Sequence, residues 1–100
     1  MYYVYMLRCG DGSIYTGITT DLHRRFQEHR LGKGAKYTKS HGAVKIEAAW
    51  SCNDRSLASR MEAVIKRLPK KEKELLTREP SKFYLILKDK LNCNLYNPVV

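Results

Sequence analysis

Cysteine is scarce in this sequence, and the three that occur are far apart. Cys9, Cys52 and Cys93 form no C-x-x-C pair, which argues against a disulfide framework and against the usual spacing of a structural zinc site. Long apolar runs are also missing, because no stretch approaches the roughly 18 residues of a membrane span and MYYVYML lacks the basic flank of a secretory signal. We therefore expect a cytoplasmic protein with reduced thiols and no membrane partner.

Acidic residues are few as well. The 19 lysines and arginines outnumber the 10 aspartates and glutamates and give a formal charge of +9. Such a balance favours polyanionic partners, because basic side chains that neutralise phosphates release bound counterions. Nucleic acid is the leading candidate, and a solvated positive face without a ligand is the alternative that charge alone leaves open.

The rest of the composition is that of an ordinary folded domain. Of the 100 residues, 43% are hydrophobic and 29% are charged, and a chain of this length builds one modest core. We expect a single domain over residues 1–100.

Two runs of β-branched and aromatic residues, Tyr2–Leu7 and Ser13–Ile18, predict strands. The turn between them, CGDGS, contains Asp-Gly, a pair that tolerates the positive φ angles of a tight reversal. The glycines of this region do not form G-x-G-x-x-G, which argues against a dinucleotide site. An antiparallel hairpin would bring Tyr5 and Tyr15 side by side.

The next segment predicts a helix that ends at about Arg30 or Leu31. We expect Thr19 or Thr20 to cap it and Asp21 to lie in its first turn, where a carboxylate suits the positive end of the helix dipole.

Four-residue spacings on this helix place two pairs of side chains. Leu22 and Phe26 anchor the buried stripe, and Arg25 and His29 follow its edge. Basic runs of this kind are also commonly a solvated helix face, so spacing alone leaves the role of the second pair open.

Two further segments complete the first half of the chain. Residues 32–42, GKGAKYTKSHG, show no apolar period and predict a basic surface loop. Residues 43–51, AVKIEAAWS, alternate and predict a third strand. The residues expected on one side of that strand are Val44, Ile46, Ala48 and Trp50.

A long helix should follow, capped by Asn53 or Asp54 and ended by Pro69. Its core-facing stripe is Leu57, Met61, Val64, Ile65 and Leu68. A shorter helix is predicted over Lys70–Thr77.

The C-terminal segment contains FYLIL, which suits either a strand or a buried turn of helix. We expect a helix through Lys88 that covers the far side of the sheet, followed by an irregular terminus. Because small cores recruit any apolar segment available, this covering role is favoured over a dimer contact, and we expect a monomer.

Glu62 lies on the margin of the apolar stripe of the long helix. A carboxylate there is costly to bury unless it is paired or binds a cation. Geometry leaves two explanations open, an ion pair with Arg25 or metal ligation.

Hairpin, first helix and Glu62 helix would converge on one cleft that suits phosphodiester chemistry. Glu62 could hold Mg²⁺ or Mn²⁺ with water as the remaining ligands. Arg25 could brace the non-bridging oxygens, and Tyr15 could orient or deprotonate the attacking water. His29 would assist proton transfer, since an imidazole changes charge near neutrality.

These residues resemble the GIY-YIG nuclease superfamily, above all its small stand-alone bacterial members. The resemblance rests on Tyr3-Val4-Tyr5, on Tyr15-Thr16-Gly17, on the run DLHRRFQEH and on Glu62. It covers residues 1 to about 77, which leaves 78–100 as a C-terminal extension. It implies an α+β fold, a three-stranded antiparallel sheet flanked by helices, and divalent-metal-dependent DNA cleavage.

The family's functional positions fall on five residues of this sequence. Its two tyrosines fall on Tyr5 and Tyr15, its arginine on Arg25, its histidine on His29 and its metal-binding glutamate on Glu62. An asparagine that many members carry after the metal helix has only Asn94 and Asn97 as displaced candidates here.

The resemblance implies an endonuclease that hydrolyses DNA phosphodiester bonds, structure-selective or weakly specific, with a role in DNA repair or recombination. The alternative is a nucleic-acid-binding module, for DNA or RNA, with little or no cleavage. Tyr37 would either stack on an unpaired base or pack locally. Phosphate contacts are expected from Arg24, Arg30, Lys33, Lys36 and Lys39, and from Arg60 as a further candidate.

Overall fold

The computed structural model describes residues 1–99. The chain forms an antiparallel sheet flanked by helices, so the predicted α+β class is confirmed. The strands are β1 Tyr2–Arg8, β2 Ile14–Thr19, β3 Lys45–Cys52 and β4 Asn97–Pro98. The helices are α1 Leu22–Arg30, α2 Lys36–His41, α3 Arg55–Lys66, α4 Lys70–Arg78 and α5 Tyr84–Leu87, and 3₁₀ turns lie at Pro80–Lys82 and Cys93–Leu95. Within residues 1–99, no helix has the length and apolar character that crossing a membrane requires.

The predicted hairpin is present. β1 and β2 pair in antiparallel register, with Tyr5 opposite Gly17. Gly12 in the connecting turn has a φ of +87°, a left-handed conformation that glycine adopts without steric cost. Turn chemistry and strand composition therefore agree here, and the first 19 residues fold as the pattern indicates.

Four strands form the sheet, in the order β2-β1-β3-β4, whereas the sequence predicted three. β4 has two residues, which pair with Trp50 and Ser51, and the amide of Val99 donates to the carbonyl of Ala49 over 2.9 Å. The expectation of an irregular terminus was wrong here. A strand this short has no periodic pattern, and it forms because the edge of β3 offers hydrogen-bonding partners.

Alternation along β1 defines two faces of the sheet. Val4 and Met6 point to the face covered by α3, where they pack with Ala48, Trp50 and Met61, and we call this the core face. On the opposite face Tyr5 and Leu7 pack with Cys9 and Ala49, and Leu22 and Phe26 of α1 cover them; we call this the tyrosine face.

The side assignment predicted for the third strand was wrong because β3 contains a bulge. Met6 pairs with Ala48 but Leu7 pairs with Ile46, so Glu47 is an extra residue that reverses the alternation. Ala48 and Trp50 consequently lie on the core face, whereas Ile46 packs on the tyrosine face. Val44 precedes the strand and is exposed.

The caps of two helices can be compared with the predictions. The cap of α1 differs from the predicted residues, and the cap of α3 is one of the two residues predicted. Asp21 rather than Thr19 or Thr20 caps α1, because its carboxylate accepts from the amide of Arg24 over 3.0 Å while β2 continues through Thr19. Asp54 caps α3 by accepting from the amide of Leu57 over 2.9 Å.

The basic loop predicted over residues 32–42 contains a short helix, α2, at Lys36–His41. It has no apolar stripe, so no periodic signal revealed it. Its structure depends on ring stacking between Tyr37 and His41, whose centroids are 4.0 Å apart, and on the burial of Thr38.

The C-terminal segment covers the core face, as predicted. The α5 region is helical, and the indole of Trp50 donates to the carbonyl of Pro80 over 3.0 Å. Phe83, Leu87, Leu91 and Tyr96 are all buried in the same cluster.

Arg8 connects α4 to the sheet. Its guanidinium donates two hydrogen bonds to Glu74 of α4, at 2.7 and 2.9 Å, and also contacts Glu47 of the bulge at 2.9 Å. The bidentate geometry is the stronger form of a carboxylate pair and fixes the position of α4.

Candidate active site

Tyr5 is the central side chain of the tyrosine face and is 1% exposed. Its ring lies over Gly17 on the neighbouring strand, where a Cβ atom would stand 2.6 Å from the Tyr5 hydroxyl and 3.0 Å from the ring of Tyr15. Position 17 therefore needs glycine because of the space that two rings occupy, since its own φ is not positive. This contact gives the Y-x-G pattern a steric cause.

His29 joins Tyr5 from the last turn of α1. The Tyr5 hydroxyl is 2.7 Å from Nε2 of His29, and Nδ1 of the same ring is 2.6 Å from Oγ1 of Thr38. The ring of Tyr15 is also close, with centroids 5.4 Å from His29 and 6.3 Å from Tyr5. Hairpin and first helix thus converge as the sequence predicted.

Burial sets the protonation of this pair. Removal from water raises the pKa of Tyr5 to about 12, and the nearby Arg25 guanidinium opposes that rise only in part. Burial and then the positive charge of Arg25 lower the pKa of His29. Both groups are consequently neutral at pH 7.

Arg25 reaches the same region from α1. Its guanidinium pairs with Glu28 at 3.0 Å, one turn along the helix, and lies close enough to Tyr5 to influence that phenol. A fixed cation beside the Tyr5 hydroxyl is suited to binding the oxygens of an anionic ligand.

Glu62 lies on α3, the helix that packs against β1 and β2. Its carboxylate is 3.3 Å from Nζ of Lys66, and that ammonium lies 6.0 Å from the ring centroid of Tyr15. The possible ion pair with Arg25 is not formed, because each group has a nearer partner on its own helix. The negative charge of Glu62 also contributes to the raised pKa of Tyr5.

The donor set fits a hydrated Mg²⁺ rather than a cation enclosed by protein. Within residues 1–99, no group of three or more His, Cys, Asp or Glu side chains could hold a metal. Mg²⁺ usually keeps several waters and takes only one or two carboxylates together with substrate phosphates. Glu62, with a side chain 23% exposed and a lysine as partner, can supply such a carboxylate.

Known proteins resemble this chain in sequence. The model of the GIY-YIG catalytic domain matches residues 1–75. The chain belongs to the GIY-YIG family.

Similar chains include proteins named UPF0213. FN1575 of Fusobacterium nucleatum is 54% identical over 82 residues, 82% of each chain, and YhbQ of Salmonella typhimurium is 44% identical over 86 residues, 86% of each. The solution NMR structure of the UPF0213 protein BH0048 from Bacillus halodurans is 46% identical, with a TM-score of 0.50, over 78% of this chain and 84% of that one.

The basic residues predicted to contact phosphate in this GIY-YIG domain are exposed. Lys33, Lys36 and Lys39 belong to α2 and the segment before it, and Arg24 and Arg30 to α1. Arg24 and Arg25 also line a shallow cavity of about 270 Å³ with Arg55, the first residue of α3.

Tyr37 is 38% exposed and lies against the rings of His41 and Tyr15. It stacks on His41 with an interplanar angle of 8° and approaches Tyr15, with centroids 6.0 Å apart. Local packing therefore accounts for its position, and the exposed part of the ring remains available to a ligand.

Sequence reasoning missed three residues that help to build the GIY-YIG site. Thr38 and Gly34 contact the His29 ring, and Arg55 lines the cavity that Arg24, Arg25 and Glu28 also line. Nothing local marks them, because each acts through a neighbour that is distant along the chain. Asn94 and Asn97 lie towards the β4 edge, opposite the β2 edge that carries Tyr15.

Proposed function

We propose that this chain is an endonuclease that hydrolyses phosphodiester bonds of DNA with the help of Mg²⁺ or Mn²⁺. The observation that carries the proposal is the 2.7 Å hydrogen bond between the Tyr5 hydroxyl and Nε2 of His29. It couples a phenol to an imidazole beside the guanidinium of Arg25, and the charge of Glu62 is near enough to contribute to the raised pKa of that phenol. Membership of the GIY-YIG family supports a nucleic acid as substrate.

The two neutral groups can move a proton in sequence. His29 accepts the phenolic proton of Tyr5 at Nε2, and the phenolate then takes a proton from the water that attacks phosphorus. The bond from phosphorus to the leaving oxygen breaks, and that oxygen takes the proton held on His29, which leaves both Tyr5 and His29 neutral again. We assign this transfer to Tyr5 rather than to Tyr15, because Tyr5 is the tyrosine bonded to His29.

Other side chains bind and orient the substrate. Among residues 1–99, the hydroxyl of Tyr15 has no hydrogen-bond partner, which leaves it free to orient the water. Arg25 can brace two non-bridging oxygens of the phosphate. When bound at Glu62, a divalent cation would supply a Lewis acid for the charge that develops on the phosphate.

Specificity should be weak, because the exposed basic residues suit phosphate contacts rather than base edges. Branched or partly single-stranded DNA is the proposed preference, with Tyr37 offering part of a ring to an unpaired base. A role in repair or recombination would follow from that preference.

One contact favours a second candidate function, a binding module without cleavage. Lys66 pairs with Glu62 and would compete with a cation for the carboxylate. If this pair persists on DNA, the protein would bind strongly and cut slowly.

The test uses labelled duplex, flap, four-way junction and single-stranded DNA with Mg²⁺, Mn²⁺ or EDTA. We expect metal-dependent cutting that falls at least about 100-fold in Glu62→Gln and in Tyr5→Phe, since each removes a group used in the transition state. Binding measured in EDTA should change by less than about threefold in either variant.

Matched controls make the same chemical changes far from the cleft. Glu79→Gln alters a glutamate that also pairs with a lysine on its own helical segment, and Tyr84→Phe alters an exposed tyrosine of α5. Both should cut like the parent. Cutting that survives Glu62→Gln and Tyr5→Phe would refute the assignment, and binding with no cutting by any form would select the binding module.

A further inference from the structure

Thr38 is a fully buried polar side chain to which the proposed reaction assigns no part. It lies within α2 and is 1% exposed. Its Oγ1 atom has two neighbours, the carbonyl oxygen of Ala35 at 3.0 Å and Nδ1 of His29 at 2.6 Å. A threonine that served only to cap or fill would not need the second contact.

The direction of these hydrogen bonds follows from counting donors. A carbonyl oxygen can only accept, so the single hydroxyl hydrogen of Thr38 is donated to Ala35. Oγ1 must then accept from His29, which places the ring proton on Nδ1. The lone pair of Nε2 therefore faces Tyr5, and the Tyr5 hydroxyl donates to it.

The other neutral tautomer would give the opposite result. With the proton on Nε2, His29 would donate to Tyr5, and the phenolic proton would have to point elsewhere. The imidazole could not then accept the proton that the proposed reaction requires. The Thr38 hydroxyl would then have to turn away from Ala35 to donate to Nδ1, and its 3.0 Å hydrogen bond to the carbonyl of Ala35 would be lost.

Gly34 supplies an independent sign that this segment is built against the imidazole. A Cβ atom at position 34 would overlap Nδ1 of His29, and Gly34 does not have a positive φ. The glycine is therefore required by the ring and not by the backbone. Its closeness excludes water from Nδ1 and leaves Thr38 as the partner of that atom.

We infer that Thr38 is a positioning residue that holds His29 in the Nδ1–H tautomer and so commits Nε2 to receive the proton of Tyr5. The inference rests on the proposed function for its consequence in catalysis. Its structural content, the tautomer, is independent of whether the protein cuts DNA.

The first measurement is made on the unaltered protein. The ¹⁵N chemical shifts of the His29 ring, assigned by comparison with His29→Gln, should show a protonated Nδ1 and an unprotonated Nε2 at pH 7.5. A protonated Nε2 would overturn the inference at once, whatever the protein does to DNA.

The second measurement compares Thr38→Val with Thr38→Ser. The valine variant keeps the shape but loses the hydroxyl, and it should gain a population with Nε2 protonated and lose about 10- to 100-fold in cleavage rate. The serine variant should restore the parental tautomer and at least a third of the rate. A valine variant with the parental tautomer and rate would refute the role, and so would a serine variant that rescues neither.

Thr77→Val is the matched control. Thr77 of α4 also donates its hydroxyl to the carbonyl three residues earlier, at 2.7 Å from Glu74, but has no histidine partner. It should leave the His29 shifts and the cleavage rate unchanged. If the parent itself fails to cut, the nuclease proposal fails while the ring shifts of parent and variants still decide the role of Thr38.

Discussion

The two faces of the sheet differ in the side chains that they bury. On the core face, Val4, Met6 and Trp50 are fully buried under α3 and the C-terminal segment, and the cluster is almost entirely apolar. On the tyrosine face the buried groups include the phenol of Tyr5 and the imidazole of His29. Burying apolar area stabilises the fold, whereas buried polar groups are tolerated only when hydrogen-bonded.

This difference teaches that one strand can serve stability and chemistry without conflict. Successive residues of β1 alternate between the faces, so Tyr5 can change with little effect on Val4 and Met6. Substitutions on the core face should therefore reduce the free energy of unfolding most, and those on the tyrosine face should also disturb the site.

The largest effect should come from Trp50→Ala, which breaks the core face. Trp50 is 0% exposed and also donates to the carbonyl of Pro80, so truncation should lower the free energy of unfolding by about 3–5 kcal/mol. Because both faces share β1, the site should be lost in the same cooperative transition. Urea unfolding followed by circular dichroism and by tyrosine fluorescence measures both, and non-coincident curves would contradict the shared transition.

Gly17→Ala, on the edge strand β2, should disturb the packing of the tyrosine face. The added methyl would meet the hydroxyl of Tyr5 at 2.6 Å, and overpacking of this kind costs about 1–3 kcal/mol. The pairing of Tyr5 with His29 should shift with it, which the ring ¹⁵N signals of His29 would report. Gly12→Asn is the control, because that position is open to solvent and asparagine tolerates its positive φ. Equal effects at the two glycines would argue against the steric explanation.

Arg8→Met should weaken the attachment of α4 to the sheet and leave the tyrosine face intact. Removing the guanidinium leaves Glu47 and Glu74 without their common partner, which should cost about 1–2 kcal/mol at pH 7. The hydrogen bond to Arg8 holds the pKa of Glu74 below its usual range. This stabilisation is present above the unfolded pKa and is lost as the pH falls through the folded pKa. Urea midpoints for parent and variant should therefore approach each other near pH 3, and a gap that stays constant would exclude the ion pair as its cause.

The smallest effect should be the pH dependence that His29 gives to stability. Burial and the charge of Arg25 lower its folded pKa, so below about pH 6.5 the unfolded chain binds more protons than the folded one. The free energy of unfolding should fall as the pH decreases through this window, and His29→Gln should remove most of that slope. His23→Gln, at an exposed position of α1, should not. If the free energy of unfolding changed equally with pH in the parent and in His29→Gln, the buried imidazole would not be the cause of the pH dependence.

Local sequence patterns were enough to predict the elements that contain many characteristic residues. The hairpin was predicted from its β-branched runs and its Asp-Gly turn, and α3 from the apolar stripe through Met61 and Ile65. Local spacings within residues 3–29 made Tyr5, Tyr15, Arg25 and His29 candidates, whereas Glu62 was a candidate from its place beside the apolar stripe of α3 and from the family resemblance. Their convergence could be expected from the order of elements, although the partner of Tyr5 could not.

Other features depend on contacts that no short window contains. The bulge at Glu47 cannot be seen in the sequence AVKIEAAWS, which alternates without a break. The extra residue is defined only by the pairing of β3 with β1. The helix α2 has no apolar period, and the burial of Thr38 depends on a ring nine residues earlier. The pairing of Glu62 with Lys66 is different, because a four-residue spacing on one helix favours this pair over one with a distant arginine.

The covering of the core face has a consequence for how such chains diversify. The family match ends at residue 75, yet Phe83, Leu87 and Tyr96, which finish the apolar layer, come later. A related chain could exchange this final stretch for another amphipathic segment, or for an added module with its own target, and keep the reacting side chains in place. The final quarter of the chain is thus the place where a different cover for the apolar layer could be joined without moving the reacting side chains.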